Sequence, residues 1–429
     1  MRRFLSSLGL SLLTILAFTL LPGTHWQFAN ASPSIYYVSP GGSDSNTGIS
    51  WASAFKTLQK ALSQAQIGQQ IWVAAGTYYP DEIDSANTDD RFATFSLKNG
   101  VDVYGGFTGL ESSLEQRAPQ VNLTILSGDL QQDDDPENKA YHVVNAFGTL
   151  SSAVLDGFSI TAGAANGSSN NSLGGGIFIL NGNPTLHYLM INQNEANYGG
   201  GVYCENSSPN LTEITISENK AYTAGGGMYT YNGSSPKLER VTFSGNSAVY
   251  GGGMENDLNS NFTLVNSTFS GNSASDSGGA LYIYASSPTL TNITLAENNA
   301  PAGSGIYNLE GGITLKNALI AGACVNQDGS VTASHTLVQD SGSACDLQND
   351  ENGNIIGEDP LLSLLQDNGG YTLTHLPQFL SPVIDSGNLE GCPATDQRGV
   401  VRPSGIGCDI GAVEVVIYRL YLPLLLKNP

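Results

Sequence analysis

The feature that most constrains the fold is a repeat of about 26 residues in the middle of the chain. Glycine clusters recur every 25 to 27 residues, and an apolar residue follows each one. The clusters begin at Gly174, Gly199, Gly225, Gly251, Gly278 and Gly303, and the apolar residues are Ile177, Val202, Met228, Met254, Leu281 and Ile306. An asparagine closes each of five units, at Asn194, Asn219, Asn246, Asn272 and Asn298. Self-similarity at a fixed period indicates a solenoid of stacked units.

The apolar stretches inside each unit are short and alternate with polar residues, as in Leu189/Ile191 and Ile214/Ile216. Alternation over three to five residues predicts strands, and the intervening Gly, Pro, Asn and Ser predict turns. Two or three such strands per unit describe one coil of a parallel β-helix. A leucine-rich repeat fits poorly because no unit holds a helix-length stretch, and a propeller blade needs about 40 residues. We therefore predict an all-β solenoid whose asparagine column bonds each coil to the next at a turn.

The segments that flank the repeats suggest how the solenoid begins. Ser53 to Ala65 places five apolar residues on one helical face behind a serine cap: Phe55, Leu58, Ala61, Leu62 and Ala65. A short helix here would cover the open N-terminal end of the sheet. We assign 32–150 to this cap and irregular first coils, 151–320 to the regular repeats, and 321–414 to a C-terminal section.

The two ends of the chain carry different signals. Arg2 and Arg3, an apolar run from Leu8 to Leu21, and small residues before position 32 predict a signal peptide over 1–31. An N-terminal membrane anchor is the alternative. The apolar tail, 415–429, is too short to span a bilayer as a helix, so we expect no transmembrane span in the mature chain. It is either a sorting signal or a last strand of the solenoid.

The five cysteines agree with export. The spacings favour local disulfides, Cys324–Cys345 and Cys392–Cys408, in an oxidising compartment. Cys204 is left over, and we expect it to be a buried apolar residue rather than a reactive thiol.

The net charge of −22 disfavours nucleic acid as a partner, because nucleic-acid binding needs clustered Lys and Arg. Two further sets of charged residues predict local ion pairs. Glu213 and Arg240 share a column one coil apart, and Asp396, Arg398 and Arg402 lie near the second cysteine pair.

Motifs in the repeats and near the N terminus resemble known families. The glycine clusters, with Phe243-Ser-Gly-Asn246 and Phe269-Ser-Gly-Asn272, resemble the repeats of polymorphic outer membrane proteins. Tyr37-Val-Ser-Pro-Gly-Gly-Ser-Asp44, followed by Trp51-Ala-Ser-Ala-Phe-Lys-Thr-Leu58, resembles the entry segment of secreted right-handed β-helix (pectin-lyase-like) proteins.

A third motif, Cys392-Pro-Ala-Thr-Asp-Gln-Arg-Gly399 with Cys408-Asp-Ile-Gly-Ala412, resembles the choice-of-anchor Q section. Together the resemblances imply a right-handed parallel β-helix on the cell surface or in the medium. They imply little about chemistry, since similar folds serve as lyases, hydrolases, adhesins and stalks.

In each strand that follows a glycine cluster, the first apolar residue points inward. Alternation then places the next residue, and the residue two positions after that, on the outer face. This face collects aromatic residues with a few acids, a composition that suits sugar rings. The glycan-binding candidates are Tyr203, Tyr229, Tyr231, Tyr282, Tyr284 and Tyr307. The alternative is a tyrosine ladder that only stabilises the sheet.

Three carboxylates on the same face are weak candidates for catalysis: Glu255, Asp257 and Glu205. Glu255 and Asp257 lie two apart on a strand, so about 6.6 Å separates them. Glu205 lies two coils away, about 9.6 Å. Both distances are near the ~6.5–9.5 Å of an inverting glycosidase pair. A lyase is less well supported, because the face lacks the Arg or Lys base and the cations that a uronate needs.

An acidic loop offers a possible Ca²⁺ site through Asp133, Asp134 and Asp135, although a solvated loop is the simpler interpretation. We expect no other cofactor.

We predict an exported bacterial protein, secreted or on the cell surface, that is monomeric and non-catalytic and serves in adhesion, glycan recognition or structure. Its expected partner is a polysaccharide or another surface component. The alternative is a polysaccharide-acting enzyme, a hydrolase rather than a lyase, that uses the same outer face.

Overall fold

The computed structural model describes residues 34–83, 86–87 and 90–416. The predicted signal peptide (1–31) and all but the first two residues of the predicted tail (415–429) lie outside the described residues. The described part is a parallel β-helix, as the repeat predicts. Three stacks of parallel strands run along it, and identical repeat positions pair in register, as in Val202 with Met228 and Met228 with Met254.

The largest stack, the large sheet, has 20 strands within the described residues. They are Ile35–Val38, Gln69–Ala74, Gly76–Tyr78, Val101–Phe107, Thr124–Ser127, Val154–Asp156, Ser159–Thr161, Thr185–His187, Met190–Asn192, Asn210–Thr212, Thr215–Ser217, Lys237–Glu239, Thr242–Ser244, Thr263–Ser270, Thr289–Ala296, Gly312–Lys316, Leu319–Ile320, Ser330–Ser334, Leu337–Val338 and Ile355–Ile356. Most coils supply two of these strands, which meet at a corner.

The second stack, the aromatic sheet, consists of Phe95–Ser96, Val144–Asn145, Ile177–Leu180, Val202–Glu205, Met228–Tyr231, Met254–Asn256, Leu281–Tyr284, Ile306–Leu309 and Cys324–Gln327. The third, the side sheet, consists of Ala164–Ala165, Glu195–Tyr198, Lys220–Ala224, Ser247–Tyr250 and Ser273–Ser277. Glu82–Ile83 and Ala86–Asn87 form a small antiparallel pair. Each regular coil runs from the aromatic sheet through the large sheet and the side sheet to the next coil.

The corner of the large sheet turns on a single residue in the left-handed region. These corner residues are Tyr188, Glu213, Arg240, Asn266, Asn292, Asn317 and His335, with φ between 48° and 56°. A positive φ is uncommon outside glycine, and Asn tolerates it best, which fits the three asparagines. None of these side chains belongs to the apolar core, and their residue types differ from coil to coil.

One apolar core runs through the solenoid, from Val38 to Cys345. The repeat positions predicted to point inward are fully buried: Ile177, Val202, Met228, Met254, Leu281 and Ile306. Cys204 is also fully buried, as expected. Because burial of apolar area is the main stabilising term, the column of inward residues holds the coils together.

The asparagine column forms a buried ladder, which confirms the prediction. The backbone N–H and the side-chain amide of the first four asparagines donate to the Oδ1 of the asparagine one coil on; Asn219 donates to Asn246 at 3.0 Å from both nitrogens. The second amide hydrogen goes to a strand carbonyl of the preceding coil, as from Asn246 to Ile216 at 2.8 Å. A second ladder, which the sequence analysis missed, joins Ser207, Ser234, Ser260 and Ser286 on another turn.

The N-terminal helix is real but shorter than predicted. It spans Leu58–Gln64, and its cap is Thr57, whose hydroxyl accepts from the Lys60 N–H at 3.2 Å. The predicted Ser53 cap is wrong, because Trp51–Ser53 form a separate 3₁₀ turn and Ala54 is extended. Asp44 fixes Thr57 by accepting a hydrogen bond from its hydroxyl at 2.8 Å. The remaining 3₁₀ turns are Leu114–Gln116, Ser169–Ser172 and Glu351–Gly353.

Beyond Ile356 the chain stops stacking and turns back along the corner of the large sheet. This C-terminal segment, residues 360–416, is bonded to the corner asparagines. The amides of Asn266, Asn292 and Asn317 donate to its carbonyls at 2.8, 3.1 and 3.1 Å. The Tyr371 hydroxyl donates to the Tyr188 carbonyl at 2.7 Å, at the far end.

Both predicted cysteine pairs are at bonding distance. Cys324 and Cys345 join neighbouring coils with Cα atoms 4.9 Å apart, and Cys392 and Cys408 close a loop within the C-terminal segment at 6.4 Å. Near the second pair, Arg398 binds Asp396 at 2.7 Å. Arg402 pairs with the buried Glu414 at 3.0 Å, a partner that the sequence analysis did not name.

Replacing Asn246 with Ala should destabilise the solenoid strongly. Two Asn219 donors and the Ile216 carbonyl would lose their partners in a fully buried site, at about 3 kcal/mol in total. The matched control is Asn210→Ala on the same solenoid, a half-buried residue without a side-chain hydrogen bond in the described part of the chain. Urea unfolding measures both variants; an equal loss of stability would contradict a role for the ladder.

Candidate functional site

The outer face of the aromatic sheet carries a continuous row of side chains, as the alternation predicts. Register pairs the six members coil by coil: Phe178, Tyr203, Tyr229, Glu255, Tyr282 and Tyr307. The rings of Tyr203 stack on Phe178 and on Tyr229, with centroids 5.9 and 5.7 Å apart. Tyr282 and Tyr307 stack at 5.4 Å. The row is thus two aromatic stacks with one carboxyl group between them.

A second, outer row lies beside the first and contains Leu180, Glu205, Tyr231, Asp257, Tyr284 and Leu309. Two hydrogen bonds join the rows. The Tyr203 hydroxyl donates to Glu205 at 2.9 Å, and the Tyr229 hydroxyl donates to Asp257 at 2.8 Å. The structure therefore brings together every tyrosine and acid that the sequence analysis proposed for this face.

The expected exposure of this face needs a correction. Tyr203 and Tyr229 are 4% and 6% exposed, because neighbouring rings cover their faces. Tyr231, Tyr282, Tyr284 and Tyr307 are half-buried. The open platform that we predicted is therefore limited to the outer row and to Tyr282 and Tyr307 of the inner row.

A pocket of about 250 Å³ opens between the aromatic sheet and the side sheet. Its walls are Leu173, Tyr198, Tyr203, Tyr229 and Tyr231. The sequence analysis missed Tyr198, whose ring lies 5.3 Å from that of Tyr229. A signal was present, because Tyr198, Ala224 and Tyr250 all stand directly before a glycine cluster.

Glu255 is the unusual member of the inner row. It is 7% exposed, and its Oε2 is buried without a hydrogen-bond partner among the described residues. Burial raises the pKa of Glu255 to about 8, and the charge of Asp257 adds to the effect. Burial also raises the pKa of Asp257, against the lowering effect of the Tyr229 hydroxyl. We call Glu255 and Asp257 the acidic pair.

Glu205 does not join the acidic pair directly. Tyr231 stands between its position and that of Asp257 in the outer row, and the Glu205 carboxylate accepts from Tyr203. Of the three catalytic candidates, the structure therefore places two as neighbours and one apart.

The acidic loop is open to solvent. Asp133, Asp134 and Asp135 are exposed, and the Asp133 and Asp135 carboxylates accept hydrogen bonds from the loop itself. Within the part of the chain that the structure describes, no group of three or more His, Cys, Asp or Glu residues is arranged to hold a metal ion. Calcium binding at this loop stays a prediction.

A second concave feature, the corner cleft, lies on the large sheet. It measures about 610 Å³, and loop residues 114–121 face Tyr188, Glu213 and Tyr371 across it. A chain of ion pairs includes two of its lining residues, Arg117 and Glu213. The pairs are Arg117 with Asp156 at 2.6 Å, His187 with Asp156 at 3.1 Å and with Glu213 at 3.2 Å, and Arg240 with Glu213 at 3.3 Å.

The Glu213–Arg240 pair of this cleft is confirmed. The other members were missed, because Arg117 reaches the cleft from an irregular loop outside the repeat. Burial lowers the pKa of His187, but its hydrogen bonds to Asp156 and Glu213 outweigh burial and raise the pKa to about 9. His187 is therefore an imidazolium at neutral pH, and each carboxylate in the chain of pairs has a cationic partner.

Comparisons with known proteins agree with this architecture. The family model described as "Right handed beta helix region" matches residues 164–320. Among solved structures, the chain is similar to pectate lyase Pel9A, with a TM-score of 0.53 and 16% identity over 89% of this chain and 96% of that chain. It is less similar to a rhamnogalacturonan lyase (TM-score 0.44, 12% identity, 81% and 96% covered) and to XylC in complex with xylose (0.41, 12%, 89% and 98%). No curated protein matches the chain in sequence.

At these identities the likeness concerns the fold alone. The predicted fold class, an all-β right-handed parallel β-helix with a short N-terminal helix, is confirmed. The resemblance to polymorphic outer membrane protein repeats and to the choice-of-anchor Q section stays a prediction. Among the described residues, no helix is long and apolar enough to cross a membrane.

His187 should stabilise the fold in a pH-dependent way. Its pKa is raised in the folded state, so its stabilising effect is complete below about pH 6.5 and disappears as pH rises through about 9. The difference in unfolding free energy between wild type and His187→Gln should therefore be about 2 kcal/mol larger at pH 6 than at pH 10. Urea titrations at the two pH values measure it, and a pH-independent difference would contradict the ion-pair chain.

Proposed function

We propose that the aromatic sheet binds a polysaccharide and that the protein is a non-catalytic recognition protein. The observation that carries the proposal is the 250 Å³ pocket, whose walls are four tyrosines and one leucine. Sugar rings have apolar faces that pack on aromatic side chains, and hydroxyls that need polar partners at the rim. Glu205, next to Tyr203, supplies such a partner.

The extent of the outer face favours a polymer over a small ligand. The aromatic row passes through six coils, which corresponds to about 24 Å along the solenoid axis. Half-buried tyrosines lie along this path: Tyr231 and Tyr284 in the outer row, and Tyr282 and Tyr307 in the inner row. A chain of several sugar rings could contact more than one of them at once.

The corner cleft is larger but is a weaker candidate. Its charged groups are already paired with one another, so they gain little from a ligand. The acidic pair of the aromatic sheet has no such partner. We therefore assign the cleft to the stability of the corner and the aromatic face to binding.

We further propose that the protein is exported. Two cysteine pairs at bonding distance suit an oxidising compartment. The sequence pattern of 1–31 supports the same conclusion, and a bacterial cell surface or the medium is the proposed location.

Tyr231→Ala should weaken polysaccharide binding, because it removes one wall of the pocket and leaves the apolar core of the solenoid unchanged. We expect roughly three- to tenfold weaker retention, the effect of losing one aromatic contact. The control is Phe379→Ala, an aromatic residue 87% exposed on the C-terminal segment. Depletion of purified protein by a panel of insoluble polysaccharides measures both; equal retention of wild type and Tyr231→Ala would remove the pocket from the proposal.

A second function, glycoside hydrolysis, rests on the raised pKa of Glu255. A carboxyl group that keeps its proton to about pH 8 can serve as a general acid, and the neighbouring Asp257 could serve as base.

If hydrolysis occurs, Glu255→Gln should reduce the release of reducing ends by at least ~10²-fold, because the amide cannot donate the proton. Wild-type activity should fall as pH rises above about 8. Glu239→Gln, an exposed residue of the large sheet, is the matched control. Product release that survives Glu255→Gln would exclude this residue as the acid.

A further inference from the structure

The charges of the aromatic face are all of one sign. Glu205, Glu255 and Asp257 lie within the two rows, and Asp276 of the side sheet acts on Tyr282 together with Glu255. None of these four acids takes part in an ion pair in the described part of the chain. The face therefore combines aromatic rings with carboxylates that have no cation of their own.

Glu255 makes this lack of a cation costly. A carboxyl group that is 7% exposed has lost most of its water, yet its Oε2 has no hydrogen-bond partner in the described structure. Asp257 likewise has a buried Oδ1 without a partner. A buried carboxyl group gives up its proton only when a cation or donors compensate for lost hydration, and otherwise it stays neutral. The described chain offers neither to the Glu255 Oε2, so Glu255 keeps its proton until a ligand brings a cation.

The neighbours of Glu255 suit a cationic ligand in a second way. In the inner row Glu255 stands between Tyr229 and Tyr282, and Tyr231 and Tyr284 occupy the outer row of the same coils. Aromatic faces attract ammonium groups through the ring quadrupole, and an ammonium group can donate up to three hydrogen bonds to carboxylates.

We propose that the acidic pair and its tyrosines recognise a polysaccharide of amino sugars with free, protonated amines. This rests on the proposed polysaccharide-binding function and names its substrate class. The ammonium group would provide the missing counter-ion of Glu255 and Asp257, while the sugar rings pack on the tyrosines. A polyuronate is disfavoured at the same place, because its carboxylates would meet four acids and no Lys or Arg partner.

The test compares two probes that differ at one group. Chitin and chitosan share a backbone, but chitin carries N-acetyl groups and chitosan carries free amines. Cellulose serves as a neutral reference and polygalacturonate as an anionic one. Purified protein at 0.15 M salt should be retained on chitosan about tenfold more tightly than on chitin or cellulose, and not on polygalacturonate.

The negative chain could also bind chitosan without specificity, so matched variants are needed. Glu255→Gln and Glu358→Gln each replace a carboxyl group with an amide that cannot ionise, but Glu358 is exposed at the C-terminal end of the strand stack. Glu255→Gln should lower chitosan retention to the cellulose level and leave cellulose retention unchanged. Glu358→Gln should change neither. Equal losses in the two variants would overturn the proposal, because only net charge would then matter.

The remaining outcomes separate this inference from the proposed function. Equal retention on chitin, chitosan and cellulose would overturn the amino-sugar specificity and leave polysaccharide binding standing. Retention on none of the four probes would remove both. Binding of polylysine that Glu255→Gln abolishes, without binding of chitosan, would also overturn it, since the site would then take a cationic peptide.

Discussion

In-register stacking of coils is the interaction on which the rest of the structure depends. Because each coil repeats after about 26 residues, a residue type at one position becomes a column along the whole solenoid. Apolar columns form the core, and the Asn194-to-Asn298 column forms a buried hydrogen-bond ladder. Tyrosines form much of the inner and outer rows of the aromatic sheet. The buried amides also make stacking specific, since a slip of one residue would leave several donors without acceptors.

This dependence explains which features could be predicted. Column membership follows from spacing alone, so the fold, the ladder, the cysteine pairs and the membership of the aromatic face were accessible from the sequence. Exposure was not, because it depends on neighbours in other columns. Tyr203 and Tyr229 are buried by rings on adjacent coils and by Tyr198 of the side sheet. The helix cap is Thr57 rather than the predicted Ser53, because Asp44, which is distant in sequence, accepts a hydrogen bond from the Thr57 hydroxyl.

The two concave features differ in how their charges are balanced. In the corner cleft, residues from an irregular loop and three coils neutralise one another, and His187 holds its proton between two acids. On the aromatic face, by contrast, Glu255 is surrounded by rings and by other acids. The acids of the corner cleft thus find cations within the chain, whereas Glu255 has no cationic partner among the described residues, and in our proposal the ligand supplies it.

The C-terminal segment changes how the solenoid can come apart. In most repeat proteins each unit touches its nearest neighbours alone, so the ends fray independently of the middle. Here one stretch of chain is hydrogen-bonded to corners as far apart as Tyr188 and Asn317. Opening any coil between these corners disturbs contacts with the C-terminal segment that the other coils share, so we expect these coils to unfold together. The C-terminal segment also follows the repeats in the sequence, so the repeats are synthesised before the contacts that bind their corners to one another can form.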